Sequence, residues 1–219
     1  MHSPNGRDML IRVAERLIAE RGLHGVSARE IVRTAGQRNN SAITYHFGTW
    51  DGLLEAVWLT HMDTVNAHRA EMLSTLDHAE SPADDTTVDT LAALVHAYIH
   101  PFVVEIESSE PSYWARFNEQ WLTGIHLDFV SSPTALDPED PRFPRVGGMN
   151  ILQGLFERLR AQLTHLDESV RARRVALMAR FVVSGLASWE RESVSGGAPD
   201  LAAFEIELNS LAVALLRAT

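Results

Sequence analysis

The 219-residue sequence predicts an all-α fold of about nine helices. Three short helices open the chain, a long fourth one follows, and a larger helical bundle lies behind it. Three observations predict this. Apolar residues recur at i, i+3, i+4 and i+7 over most of the chain, the spacing that stripes one side of an α-helix. No stretch alternates apolar and polar residues as a half-buried strand does. The segments between stripes carry helix-end chemistry, with serine, threonine or aspartate at starts and glycine at stops.

From Arg7 to Arg21 the stripe is Leu10, Ile11, Ala14, Leu17 and Ile18, and Gly22 supplies the stop. Ser27 is a good N-cap for a second helix, with Glu30 as capping-box partner, Ile31, Val32 and Ala35 as the apolar side, and Gly36 at the end. A third short helix is expected within Asn39 to His46. Thr49 then reads as the N-cap of a much longer helix from Trp50 to about Leu76. His78 to Thr87 is polar, acidic and broken by Pro82, hence a loop. Val88 to Glu107 is helical, with Leu91, Leu94, Val95, Tyr98, Ile99 and Phe102 inward. Pro101 is expected to kink or interrupt it, because proline lacks the backbone donor. Pro111 to Ile125 is the next helix, and Ser131 to Gly148, with Pro133, Pro138, Pro141 and Pro144, an irregular crossover. Met149 to Leu166 and Glu168 to Glu192 are strong helical patterns. A Ser195-Gly196-Gly197 turn and a last helix from Asp200 to Arg217 complete the chain. The division expected is 1–50 for the first unit and 51–219 for the second.

Composition narrows the chemistry. There is no cysteine, so disulfides, thiolate metal sites and cysteine nucleophiles are excluded. The net charge of −10 is unevenly spread. Residues 1–50 hold seven arginines against Asp8, Glu15, Glu20 and Glu30, whereas the rest of the chain holds twelve arginines against twenty-five carboxylates. A basic end on an acidic body suggests that only the end meets a polyanion. The polar opening and the absence of any apolar run of about 18 to 20 residues point to a soluble, cytoplasmic protein with no membrane partner.

The second and third helices carry the function. A short capped helix, a glycine turn and another short helix presenting small polar residues is the helix-turn-helix arrangement. Arg38, Asn39, Asn40, Ser41, Thr44, Tyr45 and His46 place donors and acceptors within nine residues. In a major groove, asparagine can bridge adenine N6 and N7 and arginine can pair with guanine, while hydroxyls bind phosphate. Ser27, Arg29 and Thr49 complete the candidate DNA-binding set, since the first turn of the long helix offers free backbone N–H groups to a phosphate.

This segment resembles the TetR family of bacterial one-component transcription regulators. The resemblance is carried by Ala14 with Leu17-Ile18-Ala19-Glu20-Arg21-Gly22, by Val26-Ser27-Ala28-Arg29-Glu30-Ile31, by Ala35-Gly36, and by Tyr45-His46-Phe47-Gly48 followed by Leu53-Leu54. It spans residues 7 to 58. Family members usually place one residue between the tyrosine and His-Phe, whereas Tyr45 directly precedes His46 here. They also tend to carry a lysine where this chain has Trp50, which brings no charge to a phosphate.

In the second unit, Trp114, Phe117, Asn118 and Trp121 share one side of a predicted helix, and Trp58 and Met62 lie on the long one. Aromatic walls with one amide suit a small-molecule pocket, although such a stripe also serves as plain core. His96 and His100 are four apart and form a possible metal pair, but no third ligand can be fixed from sequence, so neither a metal nor any cofactor is expected. The last two helices carry apolar stripes, including Met178, Phe181, Val182, Gly185 and Trp189 on one and Phe204, Leu208, Leu211 and Leu215 on the other. The family resemblance implies that these helices meet their copies across a two-fold axis.

The expected protein is a homodimeric transcriptional repressor that binds a palindromic double-stranded operator and is released by a small-molecule effector. Two alternatives stand beside it. In one, the body binds a protein partner or only dimerises. In the other the chain is an all-helical enzyme, which the lack of GxSxG, HExxH, a phosphate-cradling loop and a thiol disfavours.

Overall fold

A computed structural model describes residues 5–79, 89–124 and 149–218, and it is all-helical. Its helices are α1 (Gly6–Arg21), α2 (Ala28–Thr34), α3 (Ala42–Phe47), α4 (Trp50–Ala79), α5 (Thr90–Glu107), α6 (Trp114–Gly124), α7 (Met149–Ala161), α8 (Glu168–Val194) and α9 (Leu201–Arg217), with one 3-10 turn at Leu23–Gly25. We call α1–α3 the head and α4–α9 the body. Most of the predicted loop at His78–Thr87, all of the crossover at Ser131–Gly148 and the end of the helix predicted to reach Ile125 lie outside the described residues.

Helix starts follow local capping chemistry. The side chains of Asn5, Ser27, Asp89 and Asp200 accept hydrogen bonds from the amides of Asp8, Glu30, Ala92 and Ala203, and Thr49 Oγ1 accepts from Gly52 N at 2.9 Å. Such bonds satisfy amides that a helix start leaves without an intrahelical acceptor. Three departures from the sequence expectation have a visible physical cause. α3 begins at Ala42 rather than near Asn39, because Asn39 Oδ1 accepts from Ser41 N at 2.9 Å and holds a local turn that competes with helix. α7 stops at Ala161, short of Leu166. There the Arg171 guanidinium, reaching back from α8, donates to the Leu166 and Thr164 carbonyls at 2.7 and 3.1 Å and holds a turn instead. α5 runs through Pro101 without interruption. Eleven of its eighteen residues are buried, and that burial outweighs the roughly 3 kcal/mol a mid-helix proline costs.

The head has a small apolar core. Leu10, Ile11, Ala14, Leu17 and Ile18 of α1 pack with Ile31, Val32, Ile43 and the first turns of α4, including Leu53 and Leu54. The body is built around α5, which packs against α4, α7 and α9. α6 is fixed by a buried carboxylate. Glu190 of α8, 1% exposed, accepts from Ser112 Oγ at 2.6 Å, Ala115 N at 3.2 Å, and Arg116 N and Nε at 3.0 Å each. It thus caps the start of α6 from a different helix and pairs with Arg116. No described helix is long and apolar enough to cross a membrane.

Candidate nucleic-acid interface

The turn between α2 and α3 is shaped by Gly36, whose φ of +68° is left-handed backbone that glycine adopts without strain. It swings the chain so that Arg38, Asn39, Asn40, Ser41, Thr44 and Tyr45 are all exposed, and Tyr45 is 80% exposed. Arg38, Asn39 and Asn40 sit on the turn, Ser41 is the N-cap of α3, and Thr44, Tyr45 and the half-buried His46 lie on the helix. The Tyr45 and His46 rings meet edge to face at 4.8 Å. Phe47 packs against the core with the Arg7 guanidinium over its ring at 5.2 Å. Ser27 and Thr49 are exposed and spend their hydroxyl oxygens as cap acceptors.

Charge on this surface is available. Arg29, Arg33 and Arg38 are exposed and have no carboxylate partner among the described residues, whereas Arg21 is tied to Glu30 at 2.6 Å. Unpaired guanidiniums beside exposed amides and hydroxyls are the groups that phosphates and base edges recognise. Trp50 is partly buried against the core, so its indole serves packing.

Gly52, which sequence reasoning passed over, joins this surface to the long helix. A Cβ there would lie 2.2 Å from the Phe47 carbonyl oxygen, so only glycine lets α4 start this close behind α3.

The six residues proposed to line a pocket are all buried. Trp114 and Asn118 line a small apolar cavity together with Phe102, Ile106, Ala115, Val183 and Leu186, with room for about one water molecule. Trp58 donates its indole N–H to Asn118 Oδ1 at 3.0 Å. Met62, Phe117 and Trp121 pack in the surrounding core and do not line the cavity. Trp114 keeps its own indole N–H buried without an acceptor.

Head and body meet at a contact that periodicity does not reveal. His61 of α4 has Nδ1 2.7 Å from Glu105 Oε1 on α5 and Nε2 3.0 Å from Glu15 Oε1 on α1, the second contact too bent for a directed hydrogen bond. Its ring stacks on Trp114 at 4.4 Å. Burial pulls its pKa down, but the Glu105 hydrogen bond and the close carboxylate charges of Glu15 and Glu105 outweigh burial and raise it to about 9. An imidazolium therefore bridges a head carboxylate and a body carboxylate beside the cavity wall. α6 adds a second tie, since Gln120 Oε1 accepts from Leu23 N at 3.4 Å. The available signal was an ionisable residue inside the apolar stripe Val57, Trp58, His61, Met62 and Val65.

Of the residues assigned to a dimer seam, Met178, Val182 and Leu208 are buried in the chain's own core and have almost no surface left for a partner. Leu208 meets α8 so closely that a Cβ on Gly185 would lie 2.9 Å from it. Phe181, Gly185, Trp189, Phe204 and Leu215 are partly exposed and Leu211 is exposed, as are Leu177 and Ile206, which the periodicity did not single out.

Residues 10–57 match the model for bacterial regulatory proteins of the tetR family. Over its whole length the chain resembles PfmR, a TetR family transcriptional regulator from Thermus thermophilus. The TM-score is 0.51 at 19% identity, covering 100% of this chain and 98% of that one. SCO7518 from Streptomyces coelicolor, a candidate transcriptional regulator, superposes with a TM-score of 0.41 at 19% identity over 99% of this chain and 100% of that one. Sequence comparison finds no match among curated proteins.

Proposed function

We propose that this chain, whose residues 10–57 match the model for bacterial regulatory proteins of the tetR family, is a ligand-responsive, homodimeric transcriptional repressor of the cytoplasm that binds a palindromic operator. The observation that carries this is the head surface: unpaired Arg29, Arg33 and Arg38 beside exposed Asn39, Asn40, Ser41, Thr44 and Tyr45, on the basic end of an acidic chain. The guanidiniums neutralise phosphates, and the asparagines and Thr44 read base edges. One head makes few contacts. Two copies set about 34 to 36 Å apart read two half-sites one turn of duplex apart.

The seam that pairs the heads is the outer side of α8 and α9, where Leu177, Phe181, Gly185, Phe204, Ile206 and Leu211 leave apolar and small side chains at the surface. The effector site is the cavity region walled by Trp114, Asn118 and Phe102, with Trp58, Met62, Phe117 and Trp121 as the surrounding shell that reorganises on binding. Room for one water means that the ligand binds an opened state, and the wall it displaces is α6. α6 also contacts the head through Gln120, and Trp114 stacks on the His61 bridge, so opening the cavity disturbs the head's seat. A coupling of about 1 to 3 kcal/mol between effector and operator is sufficient.

Titrating the protein onto DNA from its own promoter region at several salt concentrations tests the reading. Sequence-preferring binding that weakens linearly in log salt is expected. Absence of binding at low salt, or binding without sequence preference, overturns it.

A further inference from the structure

We propose that His96 and His100 of α5 and Glu205 of α9 form a binding site for a divalent transition-metal ion that ties the two helices together. Glu205 Oε1 lies 2.9 Å from His100 Nδ1 and 3.4 Å from His96 Nδ1, the two imidazole rings are 4.9 Å apart, and one donor atom from each of the three residues falls within 4.8 Å of the others. A tetrahedral ion with ligand bonds of about 2.0 to 2.1 Å sets its donors about 3.3 Å apart. The two nitrogen-to-oxygen distances already bracket that spacing. Two imidazoles and a carboxylate suit zinc, cobalt or nickel rather than magnesium or calcium, which take oxygen ligands. The third ligand comes from the far end of the sequence, which is why the His96–His100 pair alone looked incomplete.

Three features favour an ion over a plain histidine–carboxylate contact. A hydrogen bond from His100 to Glu205 accounts for His100 and leaves His96 unused, since His96 makes only the longer contact. The Glu205 side chain is 12% exposed, and its only ion-pair partners among the described residues are these two imidazoles. A divalent ion would supply the charge that a nearly buried carboxylate needs. Asn209, one turn further along α9, donates Nδ2 to the Glu205 carbonyl at 2.9 Å and keeps a buried Oδ1 without a partner. The histidine side chains, 48% and 40% exposed, leave the site open to solvent for loading and for the remaining ligands. The site does not depend on the regulator reading.

The test is a titration of the chelator-stripped full chain with Co2+, followed by visible absorption, and with Zn2+, followed by calorimetry. One ion per chain is expected, with a cobalt band typical of four or five ligands and a rise in melting temperature on adding Zn2+. His96→Gln, an exposed change with little folding risk, and Glu205→Gln are each expected to weaken binding at least about tenfold. His24→Gln, on the head, leaves it unchanged. If no ion binds, or if His96→Gln and Glu205→Gln both bind as the parent does, the site is overturned.

Discussion

Head and body handle polar side chains in opposite ways. Every buried polar or charged side chain among the described residues belongs to the body: His61, Asn66, Arg69, Glu105, Arg116, Asn118, Arg160 and Glu190. The head buries none. Its interior is aliphatic and its polar groups face outward, so the surface proposed to meet DNA is separable from the core that holds it. The body instead spends its ionic groups on fixing how helices sit against one another, as Glu190 does for α6 and His61 for the junction. Arg69 is the extreme case. Its fully buried guanidinium meets Asn66 Oδ1 at 2.5 Å, the Tyr98 carbonyl at 3.4 Å and the faces of the Tyr98 and Phe102 rings, and burial lowers its pKa to about 10 against the raising effect of Tyr98. Substitutions should therefore act mainly on stability and communication in the body, and mainly on DNA in the head.

The sharpest attempt to break that contrast is Glu190→Ala. It leaves the Arg116 charge buried and removes the acceptor of the Ala115 and Arg116 amides. Breaking one side of a buried pair costs about 3 to 5 kcal/mol, so urea unfolding should shift by that amount. A loss below about 1 kcal/mol would mean that α6 is held by apolar packing alone.

His61 gives the next largest effect, as a pH dependence. Its pKa is raised on folding, so the stabilisation is fully present below the unfolded value of 6.5 and is lost as pH rises through about 9. Facing it are Glu15 from α1, Glu105 from α5 and the Trp114 ring from α6. The shift corresponds to about 3 kcal/mol. Unfolding free energy measured from pH 6 to 10 should fall by about that much in the parent, and His61→Phe should flatten the profile. An equal fall in His61→Phe would assign the effect to another group.

Gly52→Ala probes the boundary between the two regions. The methyl group meets backbone, which cannot swing aside as a side chain can, and an overpacked site of this kind costs about 1 to 3 kcal/mol. Because the clash lies at the start of α4, both the head's packing and its DNA affinity should suffer. A variant as stable as the parent would show that α4 can back away from α3.

Much of this was legible in the sequence, and what was not has a common cause. Helix order, the Ser27 and Thr49 caps and the Gly36 turn are local: each is decided by residues within about one turn. The exposed set from Arg38 to Tyr45 was visible as composition. Asn39, however, acts on Ser41 N before it can act on anything else, and that side-chain acceptor moved the start of α3. Most of the unread features are pairings across long separations: His61 with Glu15 and Glu105, Ser112 and Arg116 with Glu190, and Leu208 with Gly185. Periodicity says which side of a helix is apolar but not which neighbour it faces. Met178, Val182 and Leu208 were thus assigned outward on stripes that the chain turns into its own core.

The smallest stability effects belong to the head, and they are the most informative about DNA. Arg38→Ala, Asn40→Ala and Tyr45→Ala remove exposed side chains with no hydrogen bond or ion pair among the described residues, so each should change unfolding free energy by less than about 0.5 kcal/mol. Their effects on DNA should differ in kind. Arg38→Ala, if it removes a phosphate contact, weakens binding to all sequences alike and lowers the salt slope by about one. Asn40→Ala, if it removes a base contact, costs about 1 to 3 kcal/mol on the operator and little on random DNA. Measuring each variant on both duplexes at two salt concentrations separates the roles. The head's surface would lose its claim to independence from its core if any of the three lowered the melting temperature as much as Gly52→Ala does.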